Sequence, residues 1–150
     1  MLVIQLIFSL CIAVSLTACA DQADKKKAGM DITQFKWKNR IILSYPENEV
    51  TAADQQKLIE QLQIQLRDRD LIILRVDEQQ GDSGKELCFT EEQRLAVIKE
   101  YALTPGSHLL IGKDGNAKQK QSGELKLLLL FKQIDQMPMR KTEVQSKKSE

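Results

Sequence analysis

Blocks of apolar and polar residues alternate along this chain, and they set its expected elements. Ile41 to Tyr45 is an apolar run after the polar Lys36-Trp37-Lys38-Asn39-Arg40 and predicts a buried strand. Thr51 to about Asp68 reads as a helix, because Leu58, Ile59, Leu62 and Leu66 fall on one face and Thr51 with Asp54 resembles a capping pair. Leu71 to Val76 is unbroken and rich in β-branched residues, the pattern of a strand covered on both faces. The polar residues 77–85 predict a loop. Thr90 with Gln93 predicts a capping box opening a helix from Glu91 to about Ala102, with Leu95, Ile98 and Ala102 on one face. After Thr104-Pro105-Gly106, His108 to Gly112 predicts a strand, Lys113-Asp114-Gly115-Asn116 a tight turn, and Ala117 to Gln121 an antiparallel return. Glu124 to Gln136 reads as a Leu-rich helix ended by Pro138.

The resulting order is β-α-β, α, β-β-α. It is the order of the thioredoxin fold, an α/β class with a mixed central sheet flanked by helices. The first strand is expected parallel to the second, through a right-handed crossover, and antiparallel to the third.

Ahead of this body, residues 1–18 carry no charged side chain and a polar stretch follows them. An apolar N-terminal segment of this kind reads as a secretory signal or an anchor. Leu16-Thr17-Ala18-Cys19 resembles the bacterial lipobox, in which the Cys thiol takes a diacylglycerol and becomes the new N-terminus. The reading is a signal peptide over 1–18, lipidation at Cys19, a flexible tether over 19–34, a thioredoxin-like domain over 35–145 and a disordered tail over 146–150. No Lys or Arg precedes the apolar run, a departure from the usual signal. The alternative is an uncleaved membrane helix, which needs roughly 20 residues. The lipoprotein resemblance implies a bacterial envelope protein facing the periplasm, with the membrane as partner through its lipid. Ala20 rather than Asp follows Cys19, which implies the outer membrane.

Charge and reactive residues narrow the function. The net charge of +1 offers no basic field to nucleic acid. Cys11 and Cys19 belong to the leader, so Cys88 is alone in the body and no internal disulfide can form there. His108 is the one histidine, and no Cys-x-x-Cys or His-x-x-x-His pair occurs, so no metal site is expected and no cofactor is implied.

Ile111-Gly112-Lys113-Asp114-Gly115, then Ile134-Asp135-Gln136-Met137-Pro138-Met139-Arg140 and Glu143, resemble a thioredoxin-like bacterial family catalogued as domain of unknown function 4174. Arg40 and Arg69-Asp70 also resemble that family's pattern. The resemblance spans roughly residues 33–145. It implies the thioredoxin-like fold and an exported protein, and it implies no established activity. In that fold Tyr45-Pro46-Glu47-Asn48-Glu49 stands where thioredoxins carry a Cys-x-x-Cys at a helix N-terminus, which lowers a thiol's pKa. Both thiols are missing here. Thioredoxins also place a cis-proline just before the third strand, whereas Gly106-Ser107-His108 separate Pro105 from Leu109.

The expected function is therefore a non-catalytic binding or structural module. The alternative is a thiol-dependent oxidoreductase or peroxidase using Cys88, which precedes the helix capped by Thr90. A small residue packing the helix start is the favoured reading of Cys88. Arg40, Asp135, Met137, Pro138, Met139 and Arg140 are candidate binding residues for a protein or a small anion. Their structural reading is a tail that clamps the last helix, with Arg140 paired to Asp135 or Asp114 and a methionine buried. His108 reads as a strand-end side chain with a local hydrogen bond. Glu47 and Glu49 read as charges favouring the helix N-terminus, or as part of a partner-binding loop.

Overall fold

Four strands form one mixed sheet in the computed structural model, which describes residues 30–77 and 89–149. They are β1 (Arg40–Tyr45), β2 (Leu71–Arg75), β3 (Ser107–Ile111) and β4 (Ala117–Ser122), in the spatial order β2-β1-β3-β4. β1 is parallel to β2, with Ile42 opposite Ile73, and antiparallel to β3, with Ile42 opposite Leu110. This is the expected pairing. β1 and β3 are the inner strands, and every residue of β3 is buried, so Ile41-Ile42-Leu43 and Leu109-Leu110-Ile111 run apolar without alternation. β4 lies at the edge and is largely exposed, and its lysines guard that edge against pairing with another chain.

Helices cover both faces. On one face α1 (Glu49–Gln61), α2 (Gln63–Asp68) and α4 (Leu127–Gln136) meet Ile42, Leu71 and Leu110 through Leu58, Leu66, Leu130, Phe131 and Ile134. On the other, α3 (Glu91–Glu100) and a 3-10 turn (Ile32–Phe35) pack Val97 and Phe35 against Ile41, Leu43 and Leu109. No helix among the described residues is long and apolar enough to cross a membrane.

Several local expectations are corrected. α1 is capped by Asn48: its Oδ1 accepts from the Thr51 N–H at 3.0 Å, and Thr51 Oγ1 accepts from the Asn48 N–H at 3.1 Å. Thr51 thus closes the box instead of opening it, and Asp54 pairs with Lys57 at 3.3 Å. The box at Thr90 and Gln93 is as expected. Leu95 is 53% exposed, and Val97 carries the inner face of α3 in its place. Pro138 ends α4 but also takes the first position of a further helix, α5 (Pro138–Lys148), where its missing N–H leaves no bond unmade. Residues 146–148, expected in a disordered tail, belong to α5. At the other end Met30 is 6% exposed in the core, so the fold already includes residues 30–34, expected in the tether. The lipidation reading at Cys19 and the thiol reading at Cys88 lie outside the described residues.

Candidate functional site

β1 has a different kind of site at each end. At its N-terminal end Arg40, 1% exposed, donates from Nη1 and Nη2 to the two carboxylate oxygens of Glu143 on α5, each at 3.1 Å. Arg40 Nη1 also donates to the Arg69 carbonyl at 2.8 Å. Lys113, from the β3–β4 turn, reaches Glu143 at 2.8 Å and Asp70 at 2.7 Å. Arg140, 4% exposed, donates to the Asp68 carbonyl at 2.6 Å, pairs with the Asp68 carboxylate, and reaches Asp135 at 3.4 Å. Arg69 pairs with Asp135 at 2.6 Å while its guanidinium lies 4.6 Å from the centre of the Phe131 ring.

Arg40, Arg69, Lys113 and Arg140 therefore meet Asp68, Asp70, Asp135 and Glu143. Arg40, Lys113 and Arg140 are buried, and charges that deep persist only when paired and hydrogen-bonded. Burial pushes the Glu143 carboxyl up, but Arg40 and Lys113 outweigh it and hold the group below the ordinary range. Asp135 is lowered in the same way, with Arg69 and then Arg140 overcoming its burial. Asp114 is not Arg140's partner. Lys118 holds it at 2.6 Å and lowers its pKa to about 2. Of the candidate binding residues, Arg40, Asp135 and Arg140 thus share one ion-pair network. Met137, Pro138 and Met139 line an adjoining cavity of about 520 Å³ beside Arg40. Met137 is half-buried against the core and Met139 is 39% exposed, so neither methionine is fully enclosed.

At the C-terminal end of β1, the β1–α1 turn brings together different groups. Ser44, the polar residue within the apolar run of β1, is opposite His108 of β3. Its Oγ lies 3.1 Å from His108 Nδ1 and donates to Gln55 Oε1 on α1 at 2.8 Å. His108 Nε2 lies 2.9 Å from the Gly123 carbonyl. Ser44, Gln55 and His108 are all buried, and burial pushes the imidazole pKa down. His108, the second residue of β3, is thus a buried group whose hydrogen bonds reach β1 and the residue after β4. Pro105 is exposed, and Gly106 touches the turn by donating its N–H to the Tyr45 carbonyl at 2.7 Å. A cavity of about 530 Å³ opens beside the turn, lined by Gln55, Glu47, Asp54, Lys57, Gly106 and Glu124 among others. Glu47 and Glu49 are exposed, as charges at a helix start should be. Among the described residues no group of three or more His, Cys, Asp or Glu side chains could hold a metal ion.

Sequence reasoning missed Ser44 and Gln55. Both left a signal: a hydroxyl in the middle of IILSY, and an amide three residues after Ala52 on the inward face of α1. It also missed Asp68 and Lys113 as partners, because ion pairs across the fold leave no local pattern.

This sheet, with helices on both faces and strand order β2-β1-β3-β4, is a thioredoxin-like fold. The structure is similar to that of reduced 2-Cys peroxiredoxin from Plasmodium vivax, with a TM-score of 0.54, 13% identity and coverage of 71% of this chain and 69% of that one. A putative thioredoxin from Neisseria meningitidis gives a TM-score of 0.40 at 18% identity, over 71% of this chain and 78% of the other. At 13% identity the first likeness shows the fold alone. No curated protein matches this chain in sequence. Residues 31–143 match the family described as a domain of unknown function, DUF4174, and the chain belongs to that family.

Proposed function

We propose that this protein is a non-catalytic, thioredoxin-like binding module held at the bacterial envelope by a lipid on Cys19. The observation that carries the reading is the β1–α1 turn. In open α/β sheets ligands gather at the C-terminal ends of the parallel strands, and thioredoxins keep their dithiol there. Here that turn holds Tyr45 to Glu49 without a thiol, and the amide of Thr51, at the start of α1, donates to Asn48. A helix start that would stabilise a thiolate serves a side-chain cap instead. The ion-pair network at the opposite end supports a structural role for Arg40 and Arg140, since each already has carboxylate partners. The sequence Leu16-Thr17-Ala18-Cys19 supports the anchor, and Ala20 supports the outer membrane.

The test is thiol-dependent turnover. Purified protein is expected to reduce neither insulin nor hydrogen peroxide. Turnover that disappears in Cys88→Ser would replace this reading with the peroxidase or oxidoreductase one.

A further inference from the structure

Trp37 is the one tryptophan of the chain, and it stands 64% exposed between the 3-10 turn and β1. Its backbone is strained as well. Its φ is +67°, a left-handed conformation that bulky L-residues rarely adopt. Backbone bonds hold it there from both sides. The Lys36 N–H donates to the Thr33 carbonyl at 3.0 Å, and the Lys38 and Asn39 N–H groups donate to the Phe35 carbonyl at 3.0 and 2.9 Å. The Trp37 N–H itself donates to the Lys113 carbonyl at 2.6 Å. The fold thus tolerates strain while holding its largest ring out in water. Strain that packing does not explain points to function.

The charge around the ring has one sign. Lys36 and Lys38 flank it, both exposed, and the Lys36 ammonium lies 5.7 Å from the ring centre. Residues 25–39 carry Lys25, Lys26, Lys27, Lys36 and Lys38 against the single carboxylate of Asp31. The β3–β4 turn, whose Gly115 lies against the Lys36 stem, adds Lys118 and Asp114, which pair with each other. The ring also stands close to where the chain arrives from Cys19. Met30 and Lys36 line one cavity. Cys19 and Met30 are eleven positions apart, so the chain between them spans at most about 40 Å.

We infer that Lys36-Trp37-Lys38 docks on the anionic phospholipid surface that holds the anchor, with the indole at headgroup level and the two ammonium groups on lipid phosphates. An indole favours the membrane–water interface because its ring is apolar and its N–H polar. Each lysine close to an anionic surface strengthens the contact about fivefold. A weak contact is enough here, because a short tether keeps the turn at an effective concentration on the order of millimolar. Docking sets the orientation of the domain. The N-terminal end of β1 faces the lipid, and the β1–α1 turn, at the other end of that strand, faces away from it. This inference rests on reading Cys19 as lipidated.

Trp37 is its own probe. Full-length lipidated protein, purified from bacterial membranes, is reconstituted in vesicles of phosphatidylglycerol with phosphatidylcholine and in vesicles of phosphatidylcholine alone, each with and without brominated acyl chains. The anchor brings the body to both surfaces, so quenching of Trp37 reads docking and not tethering. Strong quenching and blue-shifted emission are expected in the anionic vesicles, little of either in the neutral ones, and loss of both at high salt. Lys36→Gln together with Lys38→Gln should lower the docked-to-undocked ratio by roughly 30-fold, the effect of two lysines. Trp37→Gly should be no less stable to heat than wild type, because glycine relieves the left-handed strain and the exposed ring packs little. The inference is overturned if anionic vesicles leave the emission that of a water-exposed indole, if neutral vesicles quench equally, or if Trp37→Gly unfolds the protein. Emission shielded from water yet unquenched by brominated lipid would mean that a second copy or another protein covers the turn, and overturns it too. A protein that takes no palmitate at Cys19 sinks the anchor and this inference together, whereas a labelled protein with unquenched Trp37 sinks this one alone.

Discussion

Arg40 and Glu143 are 103 positions apart and meet fork to fork, at 3.1 Å on each side. Their pair joins the start of β1 to the last helix. Arg140 is the one buried residue of α5, so charge rather than an apolar face holds that helix in place.

Removing Glu143 leaves the Arg40 guanidinium charged in the interior with the Arg69 carbonyl as its one remaining acceptor among the described residues. Glu143→Ala is expected to destabilise the protein by about 3 kcal/mol, the lower end for breaking a buried pair. The double variant Arg40→Met, Glu143→Leu should lose clearly less than the sum of the two single changes, because it removes both charges. Urea denaturation of the four proteins measures this. Additive losses would mean that the two side chains do not act as a pair.

Acid should unfold the protein in two stages. His108 is lowered by burial, so its contribution is complete above the unfolded value of about 6.5 and is lost as pH falls through the folded value. Glu143 and Asp135 are also lowered, by the net effect of their cationic partners over burial. Their contributions are complete above unfolded values of about 4 and are lost below that. Asp114, lowered to about 2 chiefly by Lys118, loses its contribution in this second stage as well. His108→Gln should erase the upper stage only. A stability profile in which that variant follows wild type throughout would contradict the assignment.

The sheet was legible in the sequence for a physical reason. Ile41 to Tyr45 and Leu109 to Ile111 are inner strands covered on both faces, and unbroken apolar runs are what such strands require. α5 was not legible, because its apolar content is low and its attachment depends on Arg140 and Glu143 finding partners at Asp68, Arg40 and Lys113. The residues that carry the family resemblance could be read as a motif but not as a network. Arg40, Arg69-Asp70, Lys113, Asp135, Arg140 and Glu143 come together only after folding. The site at the turn was half legible: its missing thiols showed in the sequence, while the Ser44–His108–Gln55 chain needed the register of β1 against β3.

The anchor has its own test. Cells given radioactive palmitate should label the wild-type protein and carry it into detergent, and Cys19→Ser should take no label. Several acyl chains on one residue would give stable attachment at about 0.8 kcal/mol per buried CH₂. Equal labelling of the variant, or a body found free of membrane, would contradict lipidation at Cys19.

The central claim, a thioredoxin-like frame used for binding and not for thiol chemistry, is tested most directly by the rate at which Cys88 reacts with hydrogen peroxide. The account predicts a rate no faster than that of a cysteine in an unstructured peptide under the same conditions. A thiol that reacts orders of magnitude faster, and loses that advantage when the protein is unfolded, would contradict it.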